Sequence, residues 1–368
     1  IASLFQSDSA GSEAAPFAVD GVKLEPLAGG RSRAAVLLAR LSAGESAGRV
    51  ACVVKVAPLL ESLEESQRYE RLVRFRVAPD RRAELLNSVC GDTVGGVVYA
   101  FAGESPERVR DLDSYLAEES DSASAILHDF LGAKGDDLWR EVEPGPDSQR
   151  TTDLGKYFFD TYRLRAEDVG VQIKQYFLKR AKQLGFEKDG ETLVAGETRL
   201  SLPDEGFYGG AKIRRHYTEA FIHGDLNARN VLISDDGRVR LIDFRYAGFG
   251  PVATDFAAIE ASIRMRDEEG AASADALSER VRDERRLLSA AWNPERKRPE
   301  SVKLPYWART SEELVWLAQE VSPSLRREEY LATCLLYALR VTRVRKLEEA
   351  QKIRLIAWVT VLCSALER

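Results

Sequence analysis

Residues 221–257 read FIHGDLNARNVLISDDGRVRLIDFRYAGFGPVATDFA, and no other stretch of the chain restricts the fold as much. Three short apolar runs, Ala220–Ile222, Val231–Ser234 and Val239–Ile242, are separated by HGDLNARN and DDGR. Asp236-Gly237 between the second and third runs is a strong hairpin signal, because tight two-residue turns need residues that accept positive φ. A hairpin returns its two ends to one place. Asp243 at its far end is therefore predicted to face Asn230 at its start, with Asp225 on the loop before.

Magnesium takes hard oxygen ligands. One carboxylate and one amide suit it when nucleotide phosphates complete the shell. Asp225 would then face an acceptor hydroxyl and take its proton. Phosphoryl transfer needs chiefly positioning and neutralisation of charge, and this trio supplies both. Taken singly, Asp225, Asn230 and Asp243 read as ordinary turn residues beside a hairpin. The whole string, HGDLxxxN followed by LIDF, does not.

The string resembles the protein-kinase-like superfamily, on its aminoglycoside phosphotransferase and choline kinase side. His223, Gly224, Asp225, Leu226 and Asn230 carry the family pattern. The resemblance implies an α+β, bilobal fold with a small β-rich N-terminal lobe and a larger, mostly helical C-terminal lobe. It also implies ATP and Mg2+ as cofactors, Asp225 as the catalytic base, and Asn230 and Asp243 as the metal ligands. Eukaryotic-type protein kinases carry Arg after the His and Lys two residues past the Asp, where this chain has Gly224 and Asn227. Arg245 stands where the metal motif normally has Gly, and the short span to Asp255 leaves no long activation segment. Asp255 resembles the buried aspartate that holds the catalytic loop's backbone, with His223 bracing the same loop; a helix N-cap is the plainer reading of Asp255.

Earlier in the chain the resemblance is looser. Lys55 in VVKV matches the strand lysine that holds the α- and β-phosphates. Its implied partner is a helix glutamate. Glu65 fits best, since Tyr69 and Leu72 follow it on the packed face, and Glu61 on the same face is its rival. Gly29, Gly30, Arg31 and Ser32 stand where a glycine-rich loop would cover the phosphates, with Arg31 or Arg33 adding charge. Tyr99, Phe101 and Ala102 resemble the hinge that bonds the adenine edge, and Leu232 and Ile242 would floor the adenine pocket. A narrower likeness is to bacterial kinase-like modules of the ternary complex associated domain type, embedded in multidomain signalling or conflict proteins.

Organisation follows the same division: a lead-in over 1–16, a nucleotide-binding lobe over 17–103, and a catalytic and acceptor lobe over 104–368. Strands are expected at Val22–Leu27, Ala34–Leu41, Arg49–Ala57 and Gly95–Phe101, with a helix over Leu59–Val77 ended by Pro79. Further helices are expected over Pro106–Glu119, Ala123–Leu131, Asp153–Leu184, Glu312–Val321, Arg326–Glu349 and Gln351–Leu366. Thr310-x-x-Glu313 reads as a capping box at one of these starts.

Composition excludes several classes. With 44% hydrophobic and 30% charged residues over 368, the chain is neither disordered nor a disulfide scaffold. A net charge of -6 gives no reason to expect nucleic acid or an anionic membrane as partner. No apolar run is long enough to span a bilayer. Cys52, Cys90, Cys334 and Cys363 form no CxxC pair and read as reduced, buried thiols of a cytoplasmic protein. His128, His216 and His223 fit no zinc spacing. The chain opens at Ile1 and its only methionine is Met265, so a longer or processed polypeptide is expected. The acceptor is then a hydroxyl-bearing small molecule or a protein, including a neighbouring domain of that polypeptide. A nucleotide-binding pseudoenzyme is the alternative. The excess of Arg and Lys over residues 280–309 argues against a polycationic acceptor.

Overall fold

The alternating apolar stretches of the first hundred residues assemble into one antiparallel sheet. The computed structural model describes residues 21–27, 34–42, 50–101, 109–118, 123–132, 138–142, 153–163, 175, 177–179, 181–190, 192–195, 198–201, 215–266, 273–292, 306–342 and 347–367. The strands are β1 (Gly21–Pro26), β2 (Ala35–Ser42), β3 (Val50–Pro58), β4 (Leu85–Cys90) and β5 (Val94–Ala100), ordered β1-β2-β3-β5-β4. Alternation along β3 sends Cys52 and Val54 to one face, where they pack with Ala39, Leu41 and Val98. Lys55 takes the other face, opposite Val97 of β5.

Helix α1 (Leu59–Arg68) leaves β3 directly and packs against β5 on that second face. Gly95 permits the approach, since a Cβ there would stand 2.6 Å from the Cβ of Ser62. The helix continues through a wider turn, Tyr69–Val73, and a last turn, Arg74–Arg76, before Pro79. The Tyr69 ring meets Tyr99 at 5.9 Å and Phe244 at 5.8 Å, joining the sheet to the rest of the molecule in one continuous core.

The second part is mostly helical around small β elements. Strand β6 (Val109–Asp111) leads into α2 (Leu112–Glu118), α3 (Ala123–Leu131) and α4 (Leu154–Thr161). A three-stranded meander follows, β7 (Glu187–Asp189), β8 (Thr192–Ala195) and β9 (Thr198–Ser201). Then come β10 (Glu219–Ile222) and the expected hairpin, β11 (Val231–Ser234) with β12 (Val239–Leu241), Val231 opposite Leu241. Gly237 in its turn has φ +79, as the sequence requires. Strand β6 pairs with the outer edge of β11, and β13 (Gly248–Pro251) pairs with β10. Helices α5 (Ala253–Arg264), α6 (Ala274–Ala291), α7 (Tyr306–Val321), α8 (Arg327–Thr342) and α9 (Glu349–Glu367) complete the chain. Both α5 and α8 are buried along most of their length and pack on each other, forming the axis of this part.

Several expected boundaries move. Within the helix expected over Pro106–Glu119, Val109–Asp111 is extended on the hairpin edge, and the Asp111 carboxylate caps the helix after it by accepting from Ser114 N at 2.7 Å. The long helix expected over Asp153–Leu184 breaks after Thr161, with Arg163 at φ 51, and the described residues between 175 and 183 are helical again. Thr310 starts nothing, because α7 is already helical from Tyr306. The helix from Arg326 is interrupted: α8 ends at Thr342, and a new start near Glu349 is capped by the Gln351 side chain accepting from Glu348 N at 3.0 Å. Strands β4, β7, β8, β9 and β13 lie outside the expected runs. Among the described residues, no helix is long and apolar enough to cross a membrane.

Three of the four thiols are buried, and Cys90, at the end of the edge strand β4, is exposed, which corrects the expectation of four buried cysteines. Burial pushes the Cys52 thiol up to about 11. A maleimide should therefore label one thiol in the folded chain and four after denaturation, and Cys90→Ser should abolish the native labelling. Intact-mass spectrometry reads both.

Candidate active site

The loop His223–Asn230 connects β10 to the hairpin with little regular structure of its own, so its backbone needs partners elsewhere. Asp255, fully buried in the first turn of α5, supplies them. Its Oδ2 accepts from His223 N at 2.7 Å and from Trp139 Nε1 at 2.8 Å, and its Oδ1 accepts from Gly224 N at 2.8 Å. Val252, not Asp255, occupies the N-cap position, so the carboxylate serves the loop rather than its own helix. Gly224 has φ +78, and a Cβ on it would meet the Tyr246 carbonyl oxygen at 2.4 Å. A side chain after His223 is thus excluded by both backbone and space.

His223 is a brace. Its Nε2 donates to the Ile242 carbonyl at 2.9 Å, and its Nδ1 accepts from Asp225 N at 3.3 Å. The ring also packs on Phe244, centroids 4.9 Å apart. Asp225 and the residue before Asp243 are thereby tied together at the base of the hairpin.

Lys55 ends between two carboxylates, with Nζ 2.8 Å from Glu65 Oε2 and 2.7 Å from Asp243 Oδ1. Glu65 Oε1 accepts from the Tyr99 hydroxyl at 2.8 Å. Burial alone would lower the Lys55 pKa, but the charges of Asp243 and Glu65 outweigh it and raise the ammonium above its ordinary value. Glu65 moves up as well, through burial and the neighbouring Asp243 charge, against the pull of Lys55. Glu61, one turn earlier on the same face, pairs instead with Arg245 at 2.6 Å.

The hairpin sets Asn230 beside Ile242, the residue before Asp243, with Ile242 N donating to the Asn230 carbonyl at 3.1 Å. Asn230 Nδ2 donates to the Asp225 carbonyl at 2.8 Å, which turns its amide oxygen away from that contact. Asp243 sits in the left-handed region at φ 64, where aspartate is tolerated better than most residues. One amide oxygen and one carboxylate form a hard, two-ligand set. This fits magnesium held jointly with phosphates, and among the described residues no cluster of three or more His, Cys, Asp or Glu offers a full protein cage.

Asp225 has partners that the sequence does not announce. Its Oδ1 accepts from the Tyr337 hydroxyl at 2.8 Å and from Arg340 Nη1 at 3.0 Å, both on α8. Burial raises the carboxyl, but the Arg340 charge and these two hydrogen bonds more than offset it, leaving Asp225 below the usual carboxylate range. Trp139, Tyr337 and Arg340 all lie far from the motif in sequence. The spacing of Tyr337 and Arg340 on one helix face is the only local hint.

The remaining expected residues divide. Leu232 is half-buried and alternates with the buried Val231 and Ile233, so it lies off the core face, and Ile242 is half-buried beside His223. Tyr99 needs correcting as a hinge residue: β5 is flanked by β3 and β4 at that position, and its phenol serves Glu65. Phe101 N donates back to Ala51 at 3.3 Å. Gly29, Gly30, Arg31, Ser32, Arg33 and Ala102 lie outside the described residues. Of the basic excess, Arg280 pairs with Glu284 at 3.2 Å and Arg286 with Asp283 at 3.6 Å, while Arg296, Lys297, Arg298 and Lys303 also lie outside.

Removing the Asp255 carboxylate leaves three buried donors unpaired. Asp255→Ala should lower unfolding stability by about 3 kcal/mol or more, since one buried unsatisfied group costs about 1–3 kcal/mol. Asp255→Asn, which can still accept, should cost less. Urea titration of both variants measures the difference.

Residues 209–365 match the family model described as Ternary complex associated domain 9. No curated protein matches the sequence. Among solved structures, an aminoglycoside phosphotransferase from Streptomyces rimosus is 16% identical with a TM-score of 0.42, covering 86% of this chain and 92% of its own. The choline kinase of Streptococcus pneumoniae is 14% identical with a TM-score of 0.41, covering 93% and 94% respectively. An ethanolamine kinase of Plasmodium vivax is 12% identical with a TM-score of 0.42, covering 93% and 81%. The chain has an α+β fold: a β-rich N-terminal sheet with its buried lysine–glutamate pair, set against a mostly helical part that carries the hairpin.

Proposed function

We propose that the chain is an ATP- and Mg2+-dependent phosphotransferase that moves the γ-phosphoryl group of ATP to a hydroxyl of a small molecule or a protein. The observation that carries this is Lys55, held 2.8 Å from Glu65 and 2.7 Å from Asp243 next to the Asn230–Asp225 loop. A buried ammonium between two carboxylates is pre-aimed for phosphate contact. Asn230 and Asp243 would hold the magnesium ion. When bound, the ion neutralises charge on the phosphates. Asp225 orients the acceptor hydroxyl and receives its proton as the new P–O bond forms and the bond to ADP breaks.

The acceptor carries no positive charge near its reacting hydroxyl. The Arg340 guanidinium stands 3.0 Å from Asp225 Oδ1, so a cation approaching the same carboxylate meets like charge. This separates the chain from enzymes whose names announce aminoglycosides or choline.

Two measurements test the reading. Lys55→Ala should weaken ATP on the order of tenfold to a hundredfold, the worth of a charge-assisted contact, while adenosine binding barely moves. Equal loss for both ligands in calorimetry makes Lys55 structural. Asp225→Asn should lower phosphoryl transfer by at least about a hundredfold with little change in nucleotide affinity, as loss of a general base does. The assay follows labelled ATP into phosphate, into the protein itself and into kanamycin. Phosphorylated kanamycin would refute the acceptor charge. Tight nucleotide binding with no transfer anywhere would make the chain a pseudoenzyme.

A further inference from the structure

Asp225 has two carboxylate oxygens, and the fold treats them differently. Among the described residues, both side-chain hydrogen bonds to it fall on Oδ1, from Tyr337 at 2.8 Å and from Arg340 at 3.0 Å. The same Arg340 nitrogen donates to the Tyr337 oxygen at 3.2 Å, closing a triangle. The guanidinium is held in turn by three rings, its carbon 4.2 Å from the centroid of Tyr162, 5.1 Å from Tyr246 and 5.1 Å from Tyr337.

Those rings are tied to the loop that carries Asp225. The Tyr162 hydroxyl donates to the Gly224 carbonyl, and its ring meets Tyr246 at 5.2 Å. Tyr246 in turn presents its carbonyl where Gly224 has no side chain. Asn227 folds back on the Asp225 carbonyl at 3.3 Å and caps Arg229 N, while Arg229 reaches towards Asp113 at 3.9 Å.

We propose that Arg340 is the positioning residue of the transfer site: fixed in a cage of tyrosines, it pins Asp225 through Oδ1 and leaves Oδ2 for the acceptor hydroxyl. This deepens the phosphotransfer reading and rests on it. A carboxylate held by one oxygen cannot rotate freely, so the other keeps one direction. Loss of the clamp releases a rotor about the Cβ–Cγ bond without touching the residues that face the nucleotide. Lysine at the same place keeps the charge but loses the fork and the stacking, so it restores the arrangement in part.

The test uses the full chain with ATP and magnesium and reads inorganic phosphate release, with water standing in as acceptor. Arg340→Ala should lower kcat on the order of tenfold to a hundredfold, the scale of a small misplacement at a reacting centre, while KM for ATP and calorimetric ATP affinity hold. Arg340→Lys should recover part of that loss, and Tyr337→Phe should cost less than Arg340→Ala. An unchanged kcat in Arg340→Ala overturns the inference and leaves phosphotransfer standing. So does a parallel fall of rate, ATP affinity and melting temperature with no rescue by lysine, which marks a structural residue. If Arg340→Ala does not fold, a normal rate in both Arg340→Lys and Tyr337→Phe overturns it equally. A wild type that releases no phosphate and labels no protein overturns the phosphotransfer reading, and the inference with it.

Discussion

Lys55 is the charge around which the two parts of the molecule are arranged. It comes from the central strand β3, Glu65 from the helix laid across that strand, and Asp243 from the hairpin of the second part. Buried charges persist only when paired and hydrogen-bonded, so these three elements can bury the triad only together. Two carboxylates and one ammonium leave one negative charge in the group. The raised Lys55 pKa is the other side of that excess, since the ammonium sees more negative charge than it cancels. That balance supports the proposal that Asn230 and Asp243 hold a cation shared with phosphates.

The second dependence is on backbone rather than charge. A loop without strand or helix ladder has to satisfy its N–H groups individually, and His223 and Gly224 do so on one carboxylate. Trp139 completes the shell around Asp255 with its indole N–H. The loop's start is therefore fixed from beneath, by α5. Its position relative to the hairpin is set by the His223 ring, which joins Asp225 N to the Ile242 carbonyl.

What the sequence made legible is what is local. The hairpin could be read because Asp236-Gly237 dictates a turn, and a turn of that size fixes which residues face each other. Lys55 could be read because alternation along β3 separates it from Cys52 and Val54. Strand β13, GFGP, has two glycines and a proline and looks like a loop until β10 lies beside it. Strand β4 carries Asn87 and Ser88 on an edge, where polar residues cost little. The capping pattern at Thr310 is sound chemistry that α7 overrides by starting earlier on Tyr306 and Trp307. Tyr99 misled because a hinge assignment depends on where β5 loses its second neighbour, which only the paired sheet defines. Trp139 had no pattern to betray it, and Tyr337 and Arg340 had only their shared helix face. Their roles exist only once α8 and the 138–142 segment are packed against the loop.

Arg245 makes the segment after Asp243 part of the architecture. Glycine at that position would leave the segment after Asp243 without a side chain. Here its guanidinium reaches Glu61 at 2.6 Å and Glu64 at 3.6 Å, while Arg68 donates to the Ala247 carbonyl at 3.1 Å. Glu61 and Glu65, one helical turn apart on the same face, are thus not rivals for Lys55. One binds the lysine from the sheet and the other binds the arginine beside Asp243. The helix is held to the sheet through Glu65 and to the hairpin end through Glu61, Glu64 and Arg68. Displacing it would break ion pairs at both ends of one face at the same time, so α1 and Asp243 hold their relative position as a unit.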